Sequence, residues 1–551
     1  RRNWKPQENE TPPTHNNRSR AVYDGCFLER GKMMRPQPHW MLGFIQMNQL
    51  FLPSTLVALF CLVCNGTGEV VGKWKQFRKT FVNQTWAGNP YDLSFFGIFT
   101  SPTGKRIRHY GFHGGRNDWR IYFMPNELGH WKYTTFSSDG ELDGLKGEFD
   151  CVESSLKGMV VQDPDKPNRW KYSEGGHLMP ILWGVGCYRD GRAHFRGHGA
   201  DNALVIKALK QAEQVGATWL HTCAIVLKQD DWAKNFPVEA MPYVPGKEGE
   251  IFNLDYWDNL NSRLDKARDL GMGHYVMLYT DDGLRPDRLG IAPDSREEMR
   301  LYRYVMARIS PYPIVLWDTG IDISEYRNAN WINAFTDWFI QNDPWSHPVS
   351  SRHGGGSGNV VPANQTYESL GGAFLPTREH LLSLYRKPIP TAHTDHWRIF
   401  ISRGRWNNDK IRKAIWRCAL TGGQAPFPDY SQGPFDEEQF LTGNKQIAIA
   451  MDFIQKGLRY GLGDLEPDDS IVRNTSGIIA AINRGKEVVV FNEANAEILV
   501  NLSSFDSAVL YNWLDTKNGR ISTIKNMEPS QGEIFPPPEG YSEPILHIFR
   551  N

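Results

Sequence analysis

The chain has 551 residues, which is enough for about three domains at roughly 150 residues each. Its 62 Lys and Arg residues balance 62 Asp and Glu residues, so no net positive field favours nucleic acid or an anionic membrane as a partner. The seven Cys lack the paired spacing of a zinc site, and the 19 Trp suit sugar-binding clefts and hydrophobic cores equally well.

The first distinctive segment is an apolar run at residues 50–64, LFLPSTLVALFCLVC. It is too short for a membrane-spanning helix, and a small polar stretch follows it, which is typical of a secretory signal peptide. We therefore predict that residues 1–68 are a disordered leader and signal peptide, and that the mature chain is secreted, periplasmic or at the cell surface with no integral membrane segment. A retained membrane anchor is the alternative.

Residues 69–155 consist of short runs in which apolar and polar residues alternate, separated by Gly, Pro and Asn. Such alternation with turn residues predicts an N-terminal β-sandwich. Residues 463–551 show the same pattern, so we predict a second, C-terminal β-sandwich there.

Between these regions, residues 160–462 alternate apolar strands with amphipathic helices, which predicts βα units in a (β/α)₈ TIM barrel. No GxGxxG follows an early strand, so the sequence gives no sign of a dinucleotide site, and we expect no cofactor. The eight predicted strands are 180–186, 218–225, 273–279, 314–318, 347–351, 371–374, 388–394 and 418–423.

Catalytic groups in such a barrel lie at the carboxyl ends of the strands. The fourth predicted strand ends at Asp318 and is followed by Asp322 and Glu325, and the seventh is followed by Asp395. Glycoside cleavage needs one carboxylic acid to protonate the leaving oxygen and a second carboxylate to attack or to activate water. These two strands can supply such a pair.

Four segments carry a resemblance to a known family. Residues 111–133, GFHGGRNDWRIYFMPNELGHWKY, look like the N-terminal DUF5060-type sandwich of apiosidase-like, DUF4038-type glycoside hydrolases. Residues 175–186, 256–265 and 412–423 resemble barrel segments of that family. The C-terminal region resembles the collagen-binding-type module appended to these enzymes. The resemblance covers about residues 70–551 and implies a glycosidase that acts on an extracellular plant or algal polysaccharide or oligosaccharide.

The resemblance also implies roles for individual residues. In WDTGID at residues 317–322, Asp322 matches the acid/base position, with Glu325 as the runner-up and Asp318 as a supporting residue. On the seventh strand the family pattern places the second carboxylate at His393, so we take Asp395 as its substitute. His393 and His396 would then hydrogen-bond the sugar or tune Asp395, or simply line the rim as polar residues.

Other side chains near the strand ends are predicted to bind substrate. The arginines among them favour an acidic or sulfated glycan, because guanidinium groups match carboxylate and sulfate, although solvated surface arginines are the alternative. A metal site of His393, Asp395 and His396 is disfavoured, because neighbouring residues of a strand point to opposite faces. The second hypothesis for the whole chain is a non-catalytic glycan-binding or surface adhesion protein on a degenerate barrel. The predicted substrate-binding residues are Trp183, His221, Asp281, Trp317, Glu325, Arg352, His353, His393, His396, Trp397 and Arg398.

Overall fold

The computed structural model begins, in its described part, at Gly68, so the predicted leader otherwise lies outside it. None of the helices in this part is long and apolar enough to cross a membrane. The described residues are 68–184, 209–223, 242–279, 290–320, 323–352, 361–370, 376–394, 396–398, 407–423, 427–429, 437–473 and 476–550.

Two β-sheets form the N-terminal region. Their strands are β1 (Glu69–Gly72), β2 (Phe77–Val82), β3 (Phe95–Thr100), β4 (Arg106–Tyr110), β5 (Phe112–Gly115), β6 (Asp118–Phe123), β7 (Gly129–Ser137) and β8 (Lys146–Val152). One sheet has the order β1-β8-β7-β3-β4 and the other β2-β6-β5. Alternate residues of β3 are buried, and Phe99 stacks on Phe123 of the second sheet with ring centroids 3.8 Å apart. The alternating sequence pattern thus corresponds to facing sheets with an aromatic core between them.

A small antiparallel sheet links this region to the centre of the molecule. It consists of β9 (Val160–Gln162), β10 (Trp170–Tyr172) and β11 (His177–Leu178). Trp170 of β10 is buried, and its indole N–H donates to the Thr391 carbonyl at 3.0 Å. This hydrogen bond attaches the small sheet to the central region.

Parallel strands occupy the centre of the molecule. They are β12 (Leu182–Gly184), β13 (Trp219–Cys223), β14 (Gly273–Tyr279), β15 (Val315–Gly320), β16 (Val349–Ser350), β17 (Glu368–Leu370), β18 (Thr391–His393), β19 (His396–Arg398) and β20 (Phe427–Asp429). Strands β12 to β16 pair in chain order, and β17 pairs with β18 and β19 with β20. Strand β20 also lies beside β12, so the last parallel strand returns to the first. Closure of the set into a complete barrel stays a prediction.

Helices accompany these strands in the described part of the chain. They are α1 (Leu254–Asp269), α2 (Arg296–Ile309), α3 (Ala329–Asn342), α4 (Arg378–Tyr385), α5 (Asn408–Ala419) and α6 (Glu437–Asp452). Ser295 caps the amino end of α2, because its side chain accepts a hydrogen bond from the Glu298 N–H at 3.2 Å. Acidic residues in the first turn complement the helix dipole. Its buried face packs towards the central hydrophobic cluster.

Two of the predicted strands need comment. The eighth, residues 418–423, is wrong: Cys418 and Ala419 end α5, and residues 420–422 form a turn. The buried residues Ile411, Ala414, Ile415 and Cys418 of α5 have helical spacing, so the apolar end of this segment belongs to the helix. The sixth, residues 371–374, lies outside the described residues. The described strand just before it, β17, ends at Leu370.

A second antiparallel region ends the chain. Its strands are β21 (Glu466–Pro467), β22 (Ile478–Asn483), β23 (Glu487–Asn492), β24 (Ile498–Val500), β25 (Val509–Leu514), β26 (Lys525–Met527), β27 (Glu533–Phe535) and β28 (Ile545–Arg550). Six of them form a sheet in the order β21-β22-β23-β28-β25-β26, and β24 pairs with β27. Arg417 of α5 binds the Glu493 carboxylate through two nitrogens at 3.0 and 2.7 Å. This bidentate pair helps to attach the region to α5.

Candidate active site

The carboxyl ends of β15 to β18 bring several polar side chains together. Asp318 lies on β15, Arg352 follows β16, Ser369 lies on β17 and Thr394 follows β18. All four are buried. Because the strands are parallel, residues near their carboxyl ends meet at one face, where the active sites of α/β enzymes are commonly built.

Asp318 is the centre of this cluster, with only 1% of its surface exposed. Its Oδ1 accepts hydrogen bonds from the backbone N–H groups of Gly320 at 2.9 Å and Arg352 at 3.0 Å. Its Oδ2 accepts one from the Ser369 hydroxyl at 2.8 Å. Burial raises the pKa of Asp318 to about 6, although these donors and the Arg352 charge act in the opposite direction. Asp318 therefore holds a proton more readily than an ordinary exposed aspartate does.

Hydroxyl groups extend the cluster towards neighbouring strands. The Ser369 hydroxyl lies 2.8 Å from that of Thr394, and the Tyr367 hydroxyl donates to the Trp317 carbonyl at 3.0 Å and contacts Asp318 Oδ2 at 3.4 Å. Burial, together with the Asp318 carboxylate, raises the pKa of Tyr367 well above its usual value. Tyr367 therefore stays protonated and remains a hydrogen-bond donor beside Asp318.

The backbone turns sharply where β15 ends. Gly320 has φ +143°, and a Cβ atom on it would lie 2.3 Å from the Tyr279 carbonyl oxygen. Only glycine fits this approach of β15 to β14. The next two residues lie outside the described part, and the chain resumes in a 3₁₀ turn, Ile323–Glu325, whose Ile323 is buried.

A second buried carboxylate lies on α2. Glu298 of α2 is fully buried and accepts hydrogen bonds from the Tyr279 hydroxyl at 2.7 Å, the Asp294 N–H at 2.7 Å and the Trp331 indole at 3.1 Å. The guanidinium of Arg327, four residues after Ile323, lies 3.5 Å from its Oε1. Glu298 therefore ties the carboxyl end of β14 to the chain that follows the turn.

The structure describes only some of the residues predicted to form the site. Asp281, Asp322, His353 and Asp395 lie outside the described residues. For five others the backbone alone is described. His221 lies on β13, Glu325 in the 3₁₀ turn, and β19 contains His396, Trp397 and Arg398. The assigned catalytic pair, Asp322 and Asp395, therefore stays a prediction from the sequence.

Side chains are described for the remaining four predicted residues, and two of these belong to the cluster region. Arg352 donates its N–H to Asp318, and His393 is buried on β18 in register with Leu370 of β17. Trp183 and Trp317 are each 1% exposed. The Trp317 indole donates to Asp343 at 2.7 Å and its ring packs on Phe339, with centroids 5.0 Å apart. These are the contacts of a core residue, so a contact of Trp317 with substrate rests on the sequence alone.

Sequence reasoning included Arg352 but missed the hydroxyl partners of Asp318. Ser369 was overlooked because the sixth strand was predicted just after it, and Thr394 and Tyr367 carry no motif of their own. Asp318 was recognised only as a supporting residue. Within the described part of the chain, no group of three His, Cys, Asp or Glu side chains is placed to hold a metal ion.

Comparisons with known proteins address the fold. The family model "Domain of unknown function (DUF5060)" matches residues 70–138, which confirms the predicted type of the N-terminal region. No curated protein sequence matches the chain. The apiosidase-like and collagen-binding-type resemblances stay predictions.

Solved structures extend the likeness beyond that region. A provisionally named glycoside hydrolase from Bacteroides vulgatus superposes with a TM-score of 0.69 at 18% identity, covering 87% of this chain and 99% of that one. A family 5 glycoside hydrolase from the same organism gives 0.54 at 14% identity, covering 73% and 96%. A third glycoside hydrolase gives 0.54 at 13% identity, covering 72% and 99%. The chain therefore has a mixed α/β fold similar to that of glycoside hydrolases.

Proposed function

We propose that this protein is a glycoside hydrolase that cleaves O-glycosidic bonds of an extracellular polysaccharide or oligosaccharide. The observation that carries the proposal is Asp318, a buried carboxyl group whose pKa is raised to about 6 at the carboxyl ends of the parallel strands. A buried carboxyl group with a raised pKa at this face of the strands is typical of a functional site.

Asp318 is enclosed by its donors, so we assign it a positioning role and not direct contact with the sugar. It fixes the backbone of Arg352 and of Gly320, and Gly320 lies two residues before Asp322. We propose Asp322 as the acid that protonates the leaving oxygen and Asp395 as the second carboxylate. The Arg352 guanidinium is assigned to a carboxylate or sulfate group of an acidic glycan. Closure of the parallel strands into a (β/α)₈ barrel, and export from the cell, belong to the same proposal.

The test is release of reducing sugar from neutral, uronic and sulfated plant and algal polysaccharides. Asp322→Asn and Asp395→Asn should each abolish release, and Asp318→Asn should reduce it. Asp452→Asn is the matched control, because Asp452 is an exposed residue at the end of α6 paired only with Lys456 in the described part. Release that survives both Asp322→Asn and Asp395→Asn would contradict the assigned pair. Glycan binding without any hydrolysis would favour the non-catalytic adhesion protein.

A further inference from the structure

A large cavity lies at the amino ends of the parallel strands, opposite the candidate active site. Its volume is about 630 Å³, within the range of roughly 300–1,000 Å³ that is usual for ligand sites. Thr218, Met272 and Ile314, which line it, directly precede β13, β14 and β15. The seven residues of β14 span about 20 Å, so the cavity and the Asp318 cluster are separate places.

Three regions of the chain form its walls. Residues 155–158 come from the end of the N-terminal sheets, residues 176–179 from the linking sheet, and residues 454–464 from the connection to the C-terminal sheet. The buried side chains of Met179 and Leu462 form part of its floor. A ligand held there would contact all three regions at once.

The charges on the wall balance each other. Lys157 and Arg268 are basic, and Glu213 and Asp464 are acidic. Arg268 is paired with Asp269 at 2.9 Å and Asp464 with Lys166 at 3.0 Å. The two basic residues and the two acidic residues would act in opposite directions on a strongly charged ligand, so the wall suits a ligand without net charge.

Polar groups on the wall are available to such a ligand. Among the described residues, the Lys157 ammonium and the Glu213 carboxylate take part in no ion pair. The ammonium lies 5.2 Å from the centre of the Tyr172 ring, and Tyr460 adds a second, partly exposed ring. A donor, an acceptor and two aromatic rings with hydroxyl groups match the hydroxyls and the C–H faces of a sugar.

We propose that this cavity is a second binding site, for a short neutral oligosaccharide. The hydroxyl groups of the oligosaccharide bind Glu213 and Lys157, and a C–H face of one sugar ring packs on Tyr172. Binding here needs no catalysis at the other face, so the proposal goes beyond the hydrolase function and can hold or fail independently of it.

The glycines of the wall give a way to block the cavity without removing a contact of the fold. Gly271 has φ +74°, and a Cβ atom on it would meet nothing within 4 Å. Asn tolerates this backbone conformation, so Gly271→Asn places a side chain into the open space. Gly104, in a turn of the N-terminal region, has φ +87° and equally open surroundings, so Gly104→Asn is the matched control.

The experiment is hydrogen exchange of the full chain with cellotriose, xylotriose, mannotriose and trigalacturonate, repeated with Asp322→Asn so that hydrolysis does not consume the probe. We expect at least one neutral trisaccharide to slow exchange in residues 155–179 and 454–464. Gly271→Asn and Glu213→Ala should each weaken binding about tenfold or more, as expected for loss of space or of a hydrogen-bond acceptor. Gly104→Asn should bind like the wild type.

Several outcomes would overturn this assignment. They are the absence of protection by every neutral trisaccharide, protection confined to residues 315–320 and 349–352, and stronger protection by trigalacturonate than by the neutral sugars. Unchanged binding in Glu213→Ala would do so as well, and because Glu213 is exposed, this variant is informative even if Gly271→Asn fails to fold.

Discussion

Replacing Asp318 by Asn should make the folded protein more stable at neutral pH. An asparagine side chain can keep the hydrogen bonds of the site. Its carbonyl oxygen can accept from the N–H groups of Gly320 and Arg352, and its NH₂ group can donate to the hydroxyl of Ser369, because a hydroxyl group also accepts hydrogen bonds. The substitution therefore removes the buried charge without leaving its partners unsatisfied.

The size of the effect follows from the pKa of Asp318. Its rise from 3.8 to about 6 means that the folded state binds the proton more tightly than the unfolded state does. At about 1.4 kcal/mol per pKa unit, ionisation of Asp318 costs the folded state up to about 3 kcal/mol. The cost is absent below pH 3.8, grows as the pH rises through this window, and is complete above the folded pKa. Asp318→Asn should gain stability in the same window.

The assay is urea unfolding of both proteins at pH 4 and pH 7.5, followed by tryptophan fluorescence. The variant should unfold at a higher urea concentration at pH 7.5 and at nearly the same concentration at pH 4. Asp343→Asn is the control, because the pKa of Asp343 is lowered: burial would raise it, but His347 at 2.7 Å and other donors outweigh burial. That variant should be less stable at pH 7.5. An equal loss of stability in Asp318→Asn at both pH values would refute the reasoning.

Three further substitutions or reactions test other features of the described fold. Glu298→Ala removes the buried carboxylate that pairs with Arg327 and accepts hydrogen bonds from Tyr279 and Trp331, so it should cost about 3–5 kcal/mol in urea unfolding. The neighbouring Glu297→Ala should cost less than about 0.5 kcal/mol. Gly320→Ala brings a methyl group against a backbone carbonyl and should cost about 2 kcal/mol or more in the same assay; a neutral result would contradict the positive φ. Burial raises the pKa of Cys418, so an aromatic disulfide reagent, followed by peptide mass analysis, should modify it only after urea unfolds the chain.

Periodicity predicted the central strands and helices best where the segments are long and bounded by clear turns. The predicted strand 273–279 has the same limits as β14. The eighth strand failed because a short apolar run has the same appearance in a buried helix end as in a strand. Its correct position, β20, is a three-residue strand containing a proline, which gives almost no periodic signal.

The candidate site was harder to predict, because its chemistry arises from distant segments. Asp318 could be placed at a strand end from the sequence. The raised pKa of Asp318 could not be predicted, because it depends on burial by segments that are distant in the chain and that carry residues 352, 369 and 394. Glu298 carries the same lesson: in the sequence it is an N-terminal helix glutamate, whose usual place is the surface, and only the fold brings Tyr279, Trp331 and Arg327 around it.

The presence of an acid at residue 318 is itself informative. Asparagine would satisfy the same hydrogen bonds and would avoid a cost of up to about 3 kcal/mol at neutral pH, so the fold alone gives no reason for a carboxyl group there. Sites that sacrifice stability in this way are characteristic of function. If Asp318→Asn raises stability and lowers kcat for glycan hydrolysis without changing KM, the charge or proton of Asp318 acts in the chemical step, through Arg352 and the turn that leads to Asp322. If stability rises and hydrolysis is unchanged, only the hydrogen bonds of residue 318 matter for function, and the chemistry belongs entirely to Asp322 and Asp395.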